Sequence, residues 1–136
     1  MAQATRTVGP GTIINDANAP TLQATGNVTS DTTGSWVQVD RPCDVQVEMA
    51  LGTIGGSVTG FDVEIQGADD GSGTNTVSYG RFDTVGASDD DTTRRMAAHV
   101  YKPYMRAVMD HTGSGNVGVT IKVRTTHNQV TDSTTA

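Results

Sequence analysis

The sequence predicts an all-β fold, an antiparallel β-sandwich of immunoglobulin-like or jelly-roll type with an extended N-terminal arm and a short C-terminal tail. Three observations predict it. Apolar and polar residues alternate with period two in several short runs, clearest at Phe61-Asp62-Val63-Glu64-Ile65-Gln66. Turn-forming Gly, Asp and Ser clusters separate the runs. No segment keeps helical periodicity over a useful length. Strict alternation marks a strand with one wet face, as antiparallel sheets allow and buried parallel sheets do not.

Residues 1–31 read as the arm. Gly9-Pro10-Gly11 and Ala19-Pro20 punctuate it, and its apolar residues are few: Val8, Ile13, Ile14, Leu22 and Val28. Pro and Gly at this density favour turns and extended backbone. One short strand is expected near Leu22 to Val28, and the Ile13-Ile14 pair points to docking against another surface. Residues 32–124 read as the sandwich. Trp36 to Val39 is a short strand, and Asp44 to Leu51 places Val45, Val47, Met49 and Leu51 on one face. Gly52-Thr53-Ile54-Gly55-Gly56-Ser57 reads as a turn-rich linker before the Phe61 strand. A weaker strand carries Val77, Tyr79 and Phe82. Thr92 to Val100 follows as a further strand carrying His99, although Arg94-Arg95-Met96-Ala97-Ala98 within it are good helix formers that could support a helical turn. Pro103 predicts a bend or sheet edge. Tyr104 to Met109 is a strand, His111 to Asn116 its hairpin loop, and Val117, Val119, Ile121 and Val123 the face of the last strand. Residues 125–136 form a polar tail rich in Thr.

A chain of 136 residues fits one domain. Only 4% of it is aromatic, so the core relies on Val, Ile, Met and Ala, with the few large rings needed inside. The net charge of -6 opposes binding to phosphate backbones, so nucleic acid is not an expected partner. No apolar run reaches membrane-span length, and Met1 to Arg6 lacks a secretory leader's apolar stretch. A cytoplasm-like compartment is the expected site of synthesis. Cys43 is the only cysteine and reads as a small buried hydrophobe.

No constellation points to catalysis, and no cofactor is expected. His99, His111 and His127 show no metal-ligand spacing. Gly71-Ser72-Gly73 lacks the Lys and helix of a phosphate loop, and no nucleophile elbow occurs. Asp69, Asp70, Asp89, Asp90 and Asp91 are oxygen donors that could meet calcium, as in a calcium-dependent adhesion module, but acidic Gly-rich turns are usually solvated turns. Metal binding is therefore not the primary expectation. Arg94 and Arg95 suit either bidentate contacts to acidic groups on a partner or an edge strand guarded by charge.

Four segments carry a resemblance. They are Gly34-Ser35-Trp36-Val37-Gln38-Val39, the run from Phe61 through Gly71, Lys102-Pro103-Tyr104-Met105-Arg106-Ala107, and the glycine turn at Gly115 leading to Val123. Over residues 34–124 the chain resembles small β-sandwich domains of tailed-bacteriophage structural proteins, departing from them at Pro103, where they often carry Arg or an aromatic. The resemblance implies a virion protein, either a capsid decoration (cement) protein on the capsid exterior or a minor tail or fibre component. It implies the major capsid protein and copies of the chain itself, favouring a trimer, as partners. Ile13, Ile14, Leu22, Arg94 and Arg95 are the expected contacts. A glycan-binding tail module is the alternative, with Trp36, Tyr101 and Tyr104 as its stacking residues.

Overall fold

The computed structural model describes residues 20–39 and 43–125. All strands belong to one antiparallel, seven-stranded sheet that does not close into a barrel. They are β1 (Thr21–Val28), β2 (Thr32–Thr33), β3 (Val37–Gln38), β4 (Cys43–Ala68), β5 (Val77–Arg81), β6 (Thr93–Val100) and β7 (Tyr104–Thr125). A 3-10 turn, Ala87–Asp89, precedes β6.

The two central strands are long: β4 has 26 residues and β7 has 22. They pair with each other from Val45↔Thr125 to Ala68↔Tyr104. The short strands flank them. The segment β1–β2–β3 runs along β7, with Thr21 opposite Lys122 and Gln38 opposite Tyr104. On the far side of β4, β5 covers its second half and β6 its first.

Connectivity dictates the shape. At about 3.3 Å per residue a straight β7 would span roughly 70 Å. Val100 pairs with Cys43, beside Val45, which pairs with Thr125 at the end of β7. Only residues 101–103 then lead to Tyr104 at its start, and such a link reaches at most about 14 Å. The two ends of β7 therefore lie close together, and the sheet is bent double across its middle.

The bend lies in the glycine-rich stretches expected to be loops. His111 to Asn116 is not a hairpin loop and Gly52 to Ser57 is not a linker; each continues its strand. They pair with each other, as Gly56↔Gly115, Ser57↔Ser114 and Val58↔Gly113, between register shifts at Leu51/Ile54 and Val58/Gly60. Glycine is required at the crease. Gly113 and Gly115 have φ of 97° and 123°. A Cβ at Gly115 would overlap Gly55 O and lie 3.0 Å from Gly56 Cα, and one at Gly113 would overlap Ser57 O.

The concave face is the core. Every buried residue of β7 is odd-numbered (Met105, Ala107, Met109, Val117, Val119, Ile121 and Val123), so one face stays inside on both sides of the bend. Val45, Val47, Met49, Phe61, Val63 and Ile65 meet them from β4, and all belong to one continuous cluster. The aliphatic core is as expected, but the aromatics divide differently. Phe61 and Phe82 are buried, whereas Trp36 and Tyr104 are half-buried and Tyr101 is 52% exposed.

Thr93–Val100 is strand, as expected for the segment carrying His99, and takes up no helical turn. Intrinsic preference yields to eight consecutive pairings between β6 and β4, from Cys43↔Val100 to Ala50↔Thr93. The strand near Leu22 forms as expected, but it is an integral edge of the sheet, so ordered structure begins inside the segment assigned to the arm. Pro103 lies in the bend after β6, and its carbonyl accepts a hydrogen bond from Val39 N at 2.6 Å. Ile13, Ile14, His127, the Cys43 side chain and most of the polar tail lie outside the described residues.

Candidate interaction surfaces

The two acidic loops are built as turns. Asp70 Oδ1 accepts the backbone N–H groups of Ser72 (2.9 Å) and Thr74 (3.1 Å), and the Thr74 side chain first, then these backbone bonds, hold its carboxyl below the usual aspartate range. Asp69 receives Lys102 Nζ at 2.8 Å and Asn75 Nδ2 at 2.7 Å, and these bonds likewise lower its pKa. In the second loop Asp89 Oδ2 accepts Gly86 N at 2.7 Å while Oδ1 meets Arg94 at 3.0 Å. Asp90 is exposed, and Asp91 turns the chain into β6 with φ of 57° and its N–H on Gly52 O. Asp69, Asp70 and Asp89 thus spend their oxygens on turn and ion-pair contacts. Among the described residues no group of three or more His, Cys, Asp or Glu is arranged to hold a metal ion.

Charges on the convex face pair across strands. Glu48 on β4 sits between Arg95 on β6 (3.1 Å) and Arg124 on β7 (3.2 Å). Asp44 Oδ1 lies 2.7 Å from His99 Nδ1. Beyond the bend, Asp62 stands directly opposite Asp110, with Asp31 close by. Asp31 supplies both a side-chain hydrogen bond and like charge that push the Asp110 pKa up. His111, next along β7, sets its ring edge-on to Phe61 at 6.4 Å. His99 and His111 are not brought together, since they lie on different strands in different halves of the sheet; His127 is outside the described residues.

Four amphipathic aromatics gather where the 69–76 loop meets the 101–104 bend. The Arg106 guanidinium stacks 4.2 Å from the Trp36 ring centroid and donates to Gln66 Oε1 at 2.9 Å. A Cβ on Gly73 would contact the Trp36 ring and one on Gly71 the Tyr104 ring. Tyr79 and Tyr101 meet edge to face at 5.7 Å, and the Tyr79 hydroxyl accepts Lys102 N. His99 stacks on the other side of this group, 6.3 Å from Tyr101. Sequence spacing alone hides this cluster, because its members come from three separate segments.

The expected contact residues have distinct placements. Leu22 is 5% exposed and packs in the core, so its side chain is consumed within the chain. Arg94 is held by Asp89 and by Asp83 O. Arg95 is 53% exposed and lies on β6, an outermost strand, where a guarding charge is expected. No helix among the described residues is long and apolar enough to cross a membrane. No protein-family model matches the chain, and no curated protein matches it.

Proposed function

We propose that the chain is a structural, non-enzymatic protein of a tailed-phage virion, a capsid decoration (cement) protein that binds the outside of the capsid lattice and associates with copies of itself, with a trimer favoured. The observation that carries this reading is a single bent sheet whose outermost strands, β1–β3 on one side and β5–β6 on the other, have no further strand partner among the described residues. Such edges accept an extended segment through main-chain hydrogen bonds without needing a pocket. Repetition over a symmetric lattice then multiplies modest contacts into firm retention. The sequence resemblance supplies the phage context. In this reading the bent sheet acts as a β-sandwich, its halves the two layers. Contacts across the fold support that: the Met96 sulfur lies against Gly80, and the Leu22 carbonyl lies beside Gly34.

The test is to mix purified protein with capsids that lack it and sediment them. Saturable co-sedimentation at a fixed number of copies per lattice site, with a raised temperature of capsid rupture, is the expected result. A failure to co-sediment would overturn the proposal. The aromatic cluster favours one alternative, a tail or fibre module that stacks a host glycan on Tyr101. A glycan array on the wild-type protein and on Tyr101→Ala decides it, since only a signal lost in the variant supports that reading.

A further inference from the structure

The two sides of the sheet are not equally protected. β1 is interrupted by two register shifts against β7, between Thr21/Gln23 and Gln23/Gly26, and bulges of this kind blunt an edge. β6 carries the guarding charge of Arg95 but no register shift. Its eight residues pair one-to-one with β4 without a shift, and among the described residues no strand covers its outer side. Its centre, Met96-Ala97-Ala98, is uncharged, and Met96 and Ala98 pack only partly buried against the rim of the core. A regular, apolar-centred edge of this length is a template for another strand.

A second β6 is a poor occupant. Two-fold antiparallel pairing centred between Met96 and Ala97 sets Arg94 of each copy opposite His99 of the other, and no acid within either β6 faces them. The segment Thr12-Ile13-Ile14-Asn15-Asp16 has the complementary pattern. The antiparallel register that puts Ile14 opposite Met96 also puts Ile13 opposite Ala97 and Asp16 opposite Arg94. Every pairing in this sheet is antiparallel.

Chain length decides whose segment it is. The Pro20 carbonyl accepts a hydrogen bond from Val123, and Val123 pairs with Val47, which pairs with Met96, so the chain enters β1 level with the middle of β6 and three strands away from it. At about 4.8 Å per strand spacing, the outer side of β6 lies roughly 19 Å from that point. Four residues from Asp16 to Pro20 reach about 14 Å, which is too short for a chain to lay this segment on its own β6 in that register. We infer that residues 12–16 of one copy add as an antiparallel strand to the outer edge of β6 of a second copy. The contact is heterologous, edge on one copy and arm on the next, the type that generates closed rings such as a trimer. The inference rests on the self-association part of the proposed function and names its route.

The test uses two full-length chains on a Cys43→Ser background, one carrying Ile14→Cys and the other Met96→Cys. Because each chain has a single thiol, mixing and oxidising them gives a mixed disulfide-linked dimer only if the arm of one reaches β6 of the other. That mixed dimer is the expected product. Its absence from an oligomeric sample overturns the inference while leaving self-association intact, and so does a link that forms only within a chain carrying both substitutions. Light scattering on the unaltered protein separates the cases, because a monomer at all concentrations defeats both readings. An Ile14→Asp chain should weaken association about tenfold or more; unchanged association overturns the inference. Capsid co-sedimentation remains an independent measurement.

Discussion

Gly115→Ala tests the bend directly. Gly115 holds φ at 123°, and an added Cβ would overlap Gly55 O while lying 3.0 Å from Gly56 Cα and Ser57 N. All three obstacles are backbone of the paired strand, so no side-chain rotation relieves the clash. The unfavourable φ contributes about 1–3 kcal/mol, and displacing the opposing ladder adds about 1–3 kcal/mol. A total loss near 4 kcal/mol is a large share of the roughly 5–15 kcal/mol that stabilises a typical domain. For a domain of this size it lowers Tm by about 15 °C. Urea and thermal melts followed by circular dichroism measure it. Gly26→Ala is the control, because its nearest neighbour, Ala24 O, is 3.8 Å away in ordinary contact; it should change stability by no more than about 0.5–1 kcal/mol. A Gly115→Ala protein within about 1 kcal/mol of wild type would mean that the strands are not creased at this point.

Three further outcomes follow from the same geometry. Ile65 and Ile121 are fully buried on opposite sides of the bend but share one core, so Ile65→Val and Ile121→Val should each cost about 0.5–1.5 kcal/mol within one cooperative transition; separate transitions for the two halves would contradict a common core. Asp110 has its pKa raised above the ordinary 3.8 by Asp31 and then Asp62, so its contribution to stability is complete below that value and is lost as pH rises through the raised pKa. Asp110→Asn should therefore melt higher than wild type at neutral pH, with the difference vanishing in acid, and a lower Tm at neutral pH would refute the assignment. Because Asp69, Asp70 and Asp89 are engaged by Lys102, Thr74 and Gly86 respectively, millimolar calcium should leave Tm where magnesium leaves it, and a calcium-specific rise would reveal a site these contacts conceal.

The core was legible because burial leaves a periodic record. Val45, Val47 and Met49, or Val117 through Val123, can face one side only as strands. The bend was not legible, because glycine has two uses that look alike in a sequence. Gly52 to Ser57 and His111 to Asn116 read as loops one at a time, and only their pairing with each other shows a crease inside a continuous ladder. β6 was legible as a strand only against a competing local signal. Arg-Arg-Met-Ala-Ala favours helix in isolation, and its strand conformation comes from β4, some fifty residues earlier in sequence. The acidic loops were read correctly as turns, but the Asp31–Asp62–Asp110 group and the gathering of Trp36, Tyr79, Tyr101 and Tyr104 depend on register and on the fold-back, which no local pattern encodes.

The bend also determines what this molecule can offer a partner. A flat four-strand-wide sheet would expose one apolar face and need a second layer. Folding at the Gly56–Gly115 crease lets the sheet bury that face against itself, so the apolar surface is consumed internally and the convex face is left to cross-strand pairs such as Glu48 with Arg95 and Arg124. What folding cannot satisfy is the outer row of backbone donors and acceptors on the edge strands, since only closure into a barrel removes edges. On the β1 side register shifts disrupt that row; on the β6 side it stays regular. The regular open edge at β6 is thus the consequence of a small aliphatic core that closes by bending rather than by forming a barrel.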